Sequence, residues 1–122
     1  MSELQKPVIG ISIGDFNGIG PEVILKAVGG NRLNKVCTPV IYGSGKVINR
    51  YRQLLEIKDW QFFTIQKIEQ LNTKQVNVIN CMNDQNLEVQ PGLIVPDAGK
   101  LALESLKRAV EDLKAGDRKS VV

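Results

Sequence analysis

The stretch SIGDFNGIGPEVILKA, from Ser12 to Ala27, places a glycine-rich loop directly between two apolar runs. The run that leads into the loop, VIGISI, is apolar at most positions, as expected for a strand that is buried on both faces. Pro21 suits the first turn of a helix, and Glu22 places a negative charge at the positive end of the helix dipole. The stretch therefore predicts a strand, a tight loop and a helix in direct succession. The apolar stripe predicted for this helix is Val23, Ile24, Ala27 and Val28.

The same succession of strand and helix recurs further along the chain. The segment CTPVIYG, Cys37 to Gly43, predicts a second strand, and Ser44 is the predicted N-cap of the next helix. Two further strands are predicted over Trp60–Ile65 and Gln75–Cys81. The apolar face predicted for the helix after Ser44 is Val47, Ile48, Tyr51, Leu54 and Leu55.

The last third of the chain predicts a polar loop over Asn83–Pro96 and then a long helix with Asp97 as its N-cap. Apolar strands that alternate with helices are typical of an α/β domain. The predicted fold is therefore a substantially parallel sheet with flanking helices. The apolar face predicted for the last helix is Ala102, Leu106, Ala109, Val110 and Leu113.

Composition limits the classes of function. The chain has 122 residues, which suits a single domain, and its net charge of +3 is spread along the sequence. So mild and dispersed a charge predicts no binding to nucleic acid or to a membrane surface. No window has the apolar length of a membrane span, and the N-terminus lacks the pattern of a secretory signal. With Cys37 and Cys81 predicted to be reduced thiols, these features predict a cytoplasmic protein.

The chain contains no histidine. This excludes a histidine general base, a Ser-His-Asp triad and a histidine-based metal site among its own residues. The acidic residues are scattered over several predicted elements and form no recognisable constellation. We therefore assign neither a catalytic residue nor a metal ligand to this sequence.

The six residues from Asp117 to Val122 match the translation of a widely used DNA-sequencing adapter, with its stop codon directly after them. We therefore interpret 117–122 as a non-native tail and expect it to have no regular structure. Residues 1–116 are then the protein proper. The last predicted helix has no strand after it, whereas the helix of a βαβ unit leads to another strand. Residues 1–116 are accordingly predicted to be an incomplete α/β domain.

The loop between Gly14 and Gly20 follows the carboxyl end of the first predicted strand, which is where open α/β sheets bind ligands. Its backbone N–H groups and the helix behind them suit a polar or anionic ligand, and Asp15 and Asn17 offer polar side chains. The spacing departs from the G-x-G-x-x-G dinucleotide fingerprint, and GSGKV at Gly43–Val47 departs from a phosphate-binding P-loop. Residue spacing alone thus leaves open a ligand site or a turn that needs positive φ.

The segment GDFNGIGPEV resembles the N-terminal signature of the metal-dependent decarboxylating dehydrogenases, which include isopropylmalate and isocitrate dehydrogenases. Phe16 and Asn17 lengthen this motif, and the longer form is similar to that of the 4-hydroxythreonine-4-phosphate dehydrogenases of vitamin B6 biosynthesis. The segments CTPVIYGSGKVI and PDAGKLALESLKRAVEDLKAG resemble later parts of the same family. The resemblance covers nearly the whole chain up to Gly116.

This resemblance implies part of an isocitrate/isopropylmalate dehydrogenase-like fold and NAD-dependent oxidation of a phosphorylated hydroxy amino acid, 4-phosphohydroxy-threonine, followed by decarboxylation. It also implies a divalent metal (zinc, magnesium, manganese or cobalt) and a homodimer. The family's metal ligands, catalytic lysine and phosphate ligands lie beyond the matching segments, so we expect an N-terminal fragment that is inactive alone. Ile19 would contact the adenosine or ribose part of NAD. The cofactor-binding residues implied by the resemblance are Gly14, Asp15, Asn17, Gly18, Ile19 and Gly20.

Three alternatives stay open at this point. A paralogue could act on another phosphorylated sugar acid, because the residues that would read the substrate lie downstream. The chain could instead be a stand-alone nucleotide- or phosphate-binding module without catalysis. A flavodoxin-like interaction domain without a ligand is the third possibility, and it predicts no binding of NAD or phosphate.

Overall fold

Five strands form one sheet in the part of the chain that the structure describes. This structure is a computed structural model, and it describes residues 7–57, 60–81, 87–114 and 120–121. Two short 3-10 helices cover Gly29–Lys35 and Ile68–Gln70. The strands are β1 (Val8–Ser12), β2 (Thr38–Gly43), β3 (Phe62–Ile65), β4 (Val76–Asn80) and β5 (Ser120–Val121), and the α-helices are α1 (Gly20–Val28), α2 (Gly45–Leu54) and α3 (Pro96–Lys114).

The strand order is β3-β4-β2-β1-β5, and every neighbouring pair is parallel. Successive side chains of β2 point to opposite faces of the sheet, and each face packs in its own apolar layer. Ile41 packs in the layer that contains the buried faces of α1 and α2, whereas Val40 and Tyr42 pack in the layer that contains Ala109 of α3. The predicted parallel α/β architecture with flanking helices is confirmed. Its consequence for a site is that β1, β2 and β4 all end at the same edge of the sheet.

The start of α2 follows the sequence prediction closely. The Ser44 hydroxyl oxygen accepts hydrogen bonds from the backbone N–H groups of Lys46 at 3.1 Å and Val47 at 3.3 Å, which confirms Ser44 as the N-cap. Leu54, which was predicted for the apolar face, is 44% exposed. The Ser44 cap depends only on residues next to it in sequence. The burial of Leu54 depends instead on a packing partner from elsewhere in the chain.

The predicted buried stripes of α1 and α3 are partly wrong. In α1, Leu25 and Val28 are buried, whereas Val23 is 56% exposed. In α3, Leu106 is 43% exposed. The helix also begins at Pro96, so Asp97 lies inside it and is not its N-cap.

Two hydrogen bonds explain the rotation of α3 about its axis. The Ser105 hydroxyl donates to the backbone carbonyl of Tyr42, and the Tyr42 hydroxyl donates to Oδ2 of Asp112 at 2.6 Å. Both partners of the fully buried Tyr42 therefore lie on one face of α3. Buried polar groups need hydrogen-bond partners, so the face of α3 with Ser105 and Asp112 packs against the sheet. The face with the most leucines does not.

The C-terminal residues differ from expectation. Ser120–Val121 forms β5 and pairs in parallel with Ile9 and Gly10, so the expectation of no regular structure is wrong for these two residues. A valine is a favourable strand residue, and the pairing covers part of the otherwise open edge of β1. Residues 115–119, together with part of the predicted loop over Asn83–Pro96, lie outside the described residues. The non-native origin of 117–122 stays a prediction.

Across the described ranges, no helix combines the length and the apolar composition that crossing a membrane requires.

The Cys81 thiol gives a prediction about alkaline pH. Burial beside α3 raises its pKa from 9.0 to about 11, against smaller opposing effects of Arg108 and Ser105. The folded protein therefore holds this proton more tightly than the unfolded chain does, so folding stability is lost as the pH rises from 9 toward 11. We expect the urea midpoint to fall over this range, and Cys81→Ala to flatten the fall. An identical pH dependence in the parent and the variant would contradict this assignment.

The end of α2 gives a second prediction. Glu56 has a φ of 56°, while its N–H donates to the carbonyl of Gln53 at 3.2 Å and the N–H of Ile57 donates to that of Arg52 at 3.0 Å. This is the Schellman arrangement, in which the left-handed position favours glycine. We expect Glu56→Gly to raise the free energy of unfolding by about 0.5 to 1 kcal/mol in urea titrations. Arg50→Gly, on the exposed side of the same helix, is the control and should lower it by about 0.8 kcal/mol.

Candidate functional site

The loop between β1 and α1 is a tight, internally bonded turn. Gly14 has a φ of +69°, a left-handed conformation that residues with a Cβ rarely adopt. Asp15 then organises the next residues, because its Oδ1 accepts from the N–H of Asn17 at 2.8 Å and its carbonyl accepts from that of Gly18 at 3.0 Å. Such a side-chain-to-backbone turn fixes the loop without regular secondary structure.

The fold requires glycine at some positions of this loop and not at others. A Cβ on Gly20 would lie 2.6 Å from the carbonyl oxygen of Ile13, so the packing of α1 against the end of β1 excludes any side chain there. A Cβ on Gly18 would meet Asp15 no closer than 3.4 Å, which is an ordinary contact. The fold therefore requires glycine at 20 and favours it at 14, but it has room for a methyl group at 18.

Asn17 connects this loop to the segment that follows β4. Its side-chain nitrogen donates to the carbonyl of Leu93 at 3.1 Å, and its side-chain oxygen accepts from the N–H of Gln90 at 2.8 Å. Its own carbonyl accepts from the N–H of Gly92 at 2.7 Å. Asn17 is only 3% exposed, so its amide is taken up by contacts within the protein.

Tyr51 of α2 binds the backbone of the same loop through its hydroxyl group. Its hydroxyl donates to the carbonyl of Phe16 at 2.7 Å and lies 3.5 Å from that of Gly18. Burial raises the pKa of this hydroxyl, and the nearby carboxylates of Asp15 and Glu22 raise it further. The tyrosine therefore remains a neutral hydrogen-bond donor at physiological pH.

The N-terminus of α1 faces this loop without a side-chain cap among the described residues. The N-cap is Ile19, whose side chain is 77% exposed. The N–H groups of the first turn and the positive helix end attract polar ligands, but Asp15 places a carboxylate beside them, and Glu22 places a second one that pairs with Lys26 Nζ at 3.1 Å. This combination disfavours a phosphate group and suits a ligand with hydroxyl donors and an apolar surface.

The N-terminus of α2, by contrast, is closed by the protein itself. Besides the Ser44 cap, Oδ1 of Asn80 accepts from the N–H of Gly45 at 2.7 Å. A Cβ on Gly43 would lie 2.7 Å from Cδ1 of Ile13. The GSGKV segment is accordingly a packed junction between the end of β2 and the start of α2.

Five of the six predicted site residues lie on the loop and Gly20 begins α1, and their surroundings differ. Asp15 and Ile19 are exposed, whereas Asn17 is buried. Sequence reasoning missed the partner segment Gln90–Leu93, and only the turn pair Pro91-Gly92 signalled an ordered bend there. The role of Tyr51 was also missed, because its helical spacing indicated an apolar contact only.

A cavity of about 660 Å³ lies elsewhere, on the outer side of α2. It is formed mainly by polar side chains of that helix and by the segment after β4, and the glycine loop contributes none of its described lining residues. The lining residues are Lys46, Asn49, Arg50, Gln53, Leu87, Glu88 and Val89. In the described ranges no group of three or more His, Cys, Asp or Glu side chains could hold a metal ion.

The sequence profile of a family described as pyridoxal phosphate biosynthetic protein PdxA matches residues 35–122. This chain belongs to the PdxA family. The matched range begins after β1, the glycine loop and α1, so the loop and the profile are independent observations. The family resemblance inferred from the sequence is confirmed.

Relatives and a solved structure agree with the family assignment. A 4-hydroxythreonine-4-phosphate dehydrogenase of Bacteroides thetaiotaomicron is 38% identical over 114 residues, which are 93% of this chain and 31% of that protein. A protein of Oceanobacillus iheyensis, provisionally named as a D-threonate 4-phosphate dehydrogenase, is 32% identical over 112 residues, 88% of this chain and 32% of that protein. This PdxA-family chain thus spans about a third of the length of these relatives.

The fold is also that of a solved dehydrogenase. The crystal structure of a 4-hydroxythreonine-4-phosphate dehydrogenase from Burkholderia phymatum superimposes with a TM-score of 0.82 at 27% identity. The superposition covers 95% of this chain and 35% of that one. The parallel sheet with flanking helices described above is therefore shared with dehydrogenases of this family.

Proposed function

We propose that this chain is the N-terminal third of an NAD-dependent dehydrogenase. The full enzyme would oxidise a hydroxyl carbon of 4-phosphohydroxy-threonine, and the resulting β-keto acid would lose carbon dioxide, as a step toward pyridoxal phosphate. The observation that carries this proposal is membership of the PdxA family together with 38% identity to a dehydrogenase of that name. We further propose that the full enzyme is a cytoplasmic homodimer.

The glycine loop is the part of this chain that we assign to NAD. Gly20 packs against the end of β1 and Gly14 supplies the left-handed turn, while the absence of a side chain at Gly18 lets a ligand approach the backbone beside Asp15. Ile19 offers an exposed apolar surface, and Asp15 offers a carboxylate that can accept from a ribose hydroxyl. The residues therefore fit the adenosine end of the dinucleotide rather than its pyrophosphate. The nicotinamide ring, when bound, supplies the hydride acceptor.

The divalent metal implied by the family does not fit this chain. The sequence has no histidine, and its described residues form no candidate metal cluster. We therefore propose that the metal ligands and the catalytic residues lie in the remaining part of the enzyme. The role of the present residues is to bind and orient the cofactor.

The test is a chimera that joins residues 1–116 to the remaining two thirds of the Bacteroides thetaiotaomicron relative. With NAD, 4-phosphohydroxy-threonine and zinc, magnesium, manganese or cobalt, we expect the chimera to produce NADH. The 122-residue chain alone should produce none.

We expect Gly18→Val in the chimera to raise the KM for NAD, because a branched side chain would occupy the approach to the backbone.

The Oceanobacillus iheyensis relative supports a second substrate, D-threonate 4-phosphate. Because the residues that would read the substrate lie downstream of this chain, comparing kcat/KM for both substrates in the protein's own full-length enzyme distinguishes the two readings. A folded chimera that oxidises neither substrate would contradict the dehydrogenase proposal. Calorimetric binding of NAD or phosphate to the 122-residue chain, combined with an inactive chimera, would favour the stand-alone binding module.

A further inference from the structure

Two loops at the carboxyl edge of the sheet are joined through a single residue. Asn17 belongs to the loop after β1, and its three partners, Gln90, Gly92 and Leu93, belong to the segment after β4. The side-chain contacts span 73 and 76 residues of sequence. Both ends of the amide are used, so neither a rotated amide nor a smaller side chain reproduces the pair of bonds.

The joined segment carries apolar side chains that the described chain leaves uncovered. Ile94 is 93% exposed and Leu93 is 47% exposed, beside the loop in which Ile19 is 77% exposed. Large exposed apolar groups in one region mark a surface that binds something. The carboxylate of Asp15 on the same loop adds an acceptor for hydroxyl groups, and that of Glu22 at the helix end is shared with Lys26 Nζ at 3.1 Å.

We infer that Asn17 is a positioning residue that fixes the turn at Gln90–Leu93 beside the glycine loop, so that Ile94 forms a second wall of the dinucleotide site. The inference rests on the proposed function. An occupant with a flat apolar ring and a hydroxyl-bearing sugar, such as the nucleoside part of NAD, matches the apolar side chains and the carboxylates together. Asn17 does not touch the cofactor, because its side chain is buried and its amide is bonded to the segment.

Amide hydrogen exchange tests the positioning directly, without catalysis. In the 122-residue chain, we expect Asn17→Ala to increase exchange at Gln90 and Gly92 more than elsewhere. Asn17→Asp keeps the acceptor for Gln90 but places a buried carboxylate oxygen against the carbonyl of Leu93, so it should also increase exchange in this segment. Asn49→Ala, an exposed asparagine on α2, is the matched control and should change neither amide.

A second experiment tests the effect of Asn17 on NAD binding in the chimera. In the parent, NAD should slow exchange in both the glycine loop and residues 90–94, whereas in Asn17→Ala it should slow exchange in the glycine loop only. The KM for NAD should rise about fivefold to tenfold in Asn17→Ala and in Ile94→Ser, while kcat stays within about twofold. This split separates a positioning role from a general loss of stability, which would lower the melting temperature and leave KM unchanged.

Each outcome decides the inference. Unchanged exchange at Gln90 and Gly92 in Asn17→Ala would show that Asn17 does not fix the turn. Faster exchange with an unchanged KM for NAD, or protection of 90–94 by the remaining polypeptide before NAD is added, would show that another part of the enzyme covers Ile94. In both cases an active chimera leaves the proposed function standing. Absence of NAD protection in both segments would overturn the function and the inference together.

Discussion

Replacing Gly20 with alanine is expected to lower the free energy of unfolding by about 2 to 3 kcal/mol, because the new methyl group overpacks a backbone contact. The ideal Cβ lies 2.6 Å from the carbonyl oxygen of Ile13, and a backbone atom cannot move aside as a flexible side chain can. The first turn of α1 must then shift away from the end of β1. Urea-induced unfolding of the 122-residue chain, followed by far-ultraviolet circular dichroism, measures this loss.

Gly18→Ala is the matched control for this experiment. It makes the same chemical change two residues away, where the nearest atoms are those of Asp15 at 3.4 Å. We expect a change within about 0.5 kcal/mol, as for substitutions that touch no packed group. Equal losses from the two substitutions would show that the loop does not pack against Ile13 as described.

Truncating Leu25 should have an effect as large as the first, at about 3 kcal/mol. Leu25 is fully buried in the layer between α1, α2 and the sheet, and alanine would leave a cavity that tightly packed neighbours fill only in part. Urea titration of Leu25→Ala reports this loss as a lower midpoint.

Val23→Ala provides the comparison within the same helix. Val23 is 56% exposed, so its truncation should change the free energy of unfolding by less than about 0.5 kcal/mol. The sequence pattern alone predicted the reverse, with Val23 in the buried stripe and Leu25 outside it. A larger loss from Val23→Ala than from Leu25→Ala would mean that α1 faces the sheet as the pattern predicted.

Some features of the candidate site depend on residues close together in sequence, and others depend on contacts between distant residues. The motif around Gly14 to Gly20 identified the loop, since the residues that shape it are neighbours in sequence. The bonds from Asn17 to Gln90 and Leu93 could not be predicted, because they depend on where the chain returns after β4. The family motif predicted Asn17 among the cofactor-binding residues, and the structure places its side chain between two loops, where it is buried. Whether any residue of this loop contacts NAD stays a prediction.

The sequence by itself determined the alternation of strands and helices, the cap at Ser44 and the family to which the chain belongs. These features arise from residues close together in the chain, whose hydrogen bonds and apolar periodicity act over a few positions. Only the tertiary structure decided which faces of α1 and α3 are buried, how Asn17 joins two loops, and that β5 pairs with β1. Each of these depends on partners distant in sequence: the buried polar groups of Tyr42 turn α3, and the edge of β1 accepts Ser120–Val121. Long-range contacts can therefore override a local pattern, because burying an unpaired polar group costs more than exposing a leucine.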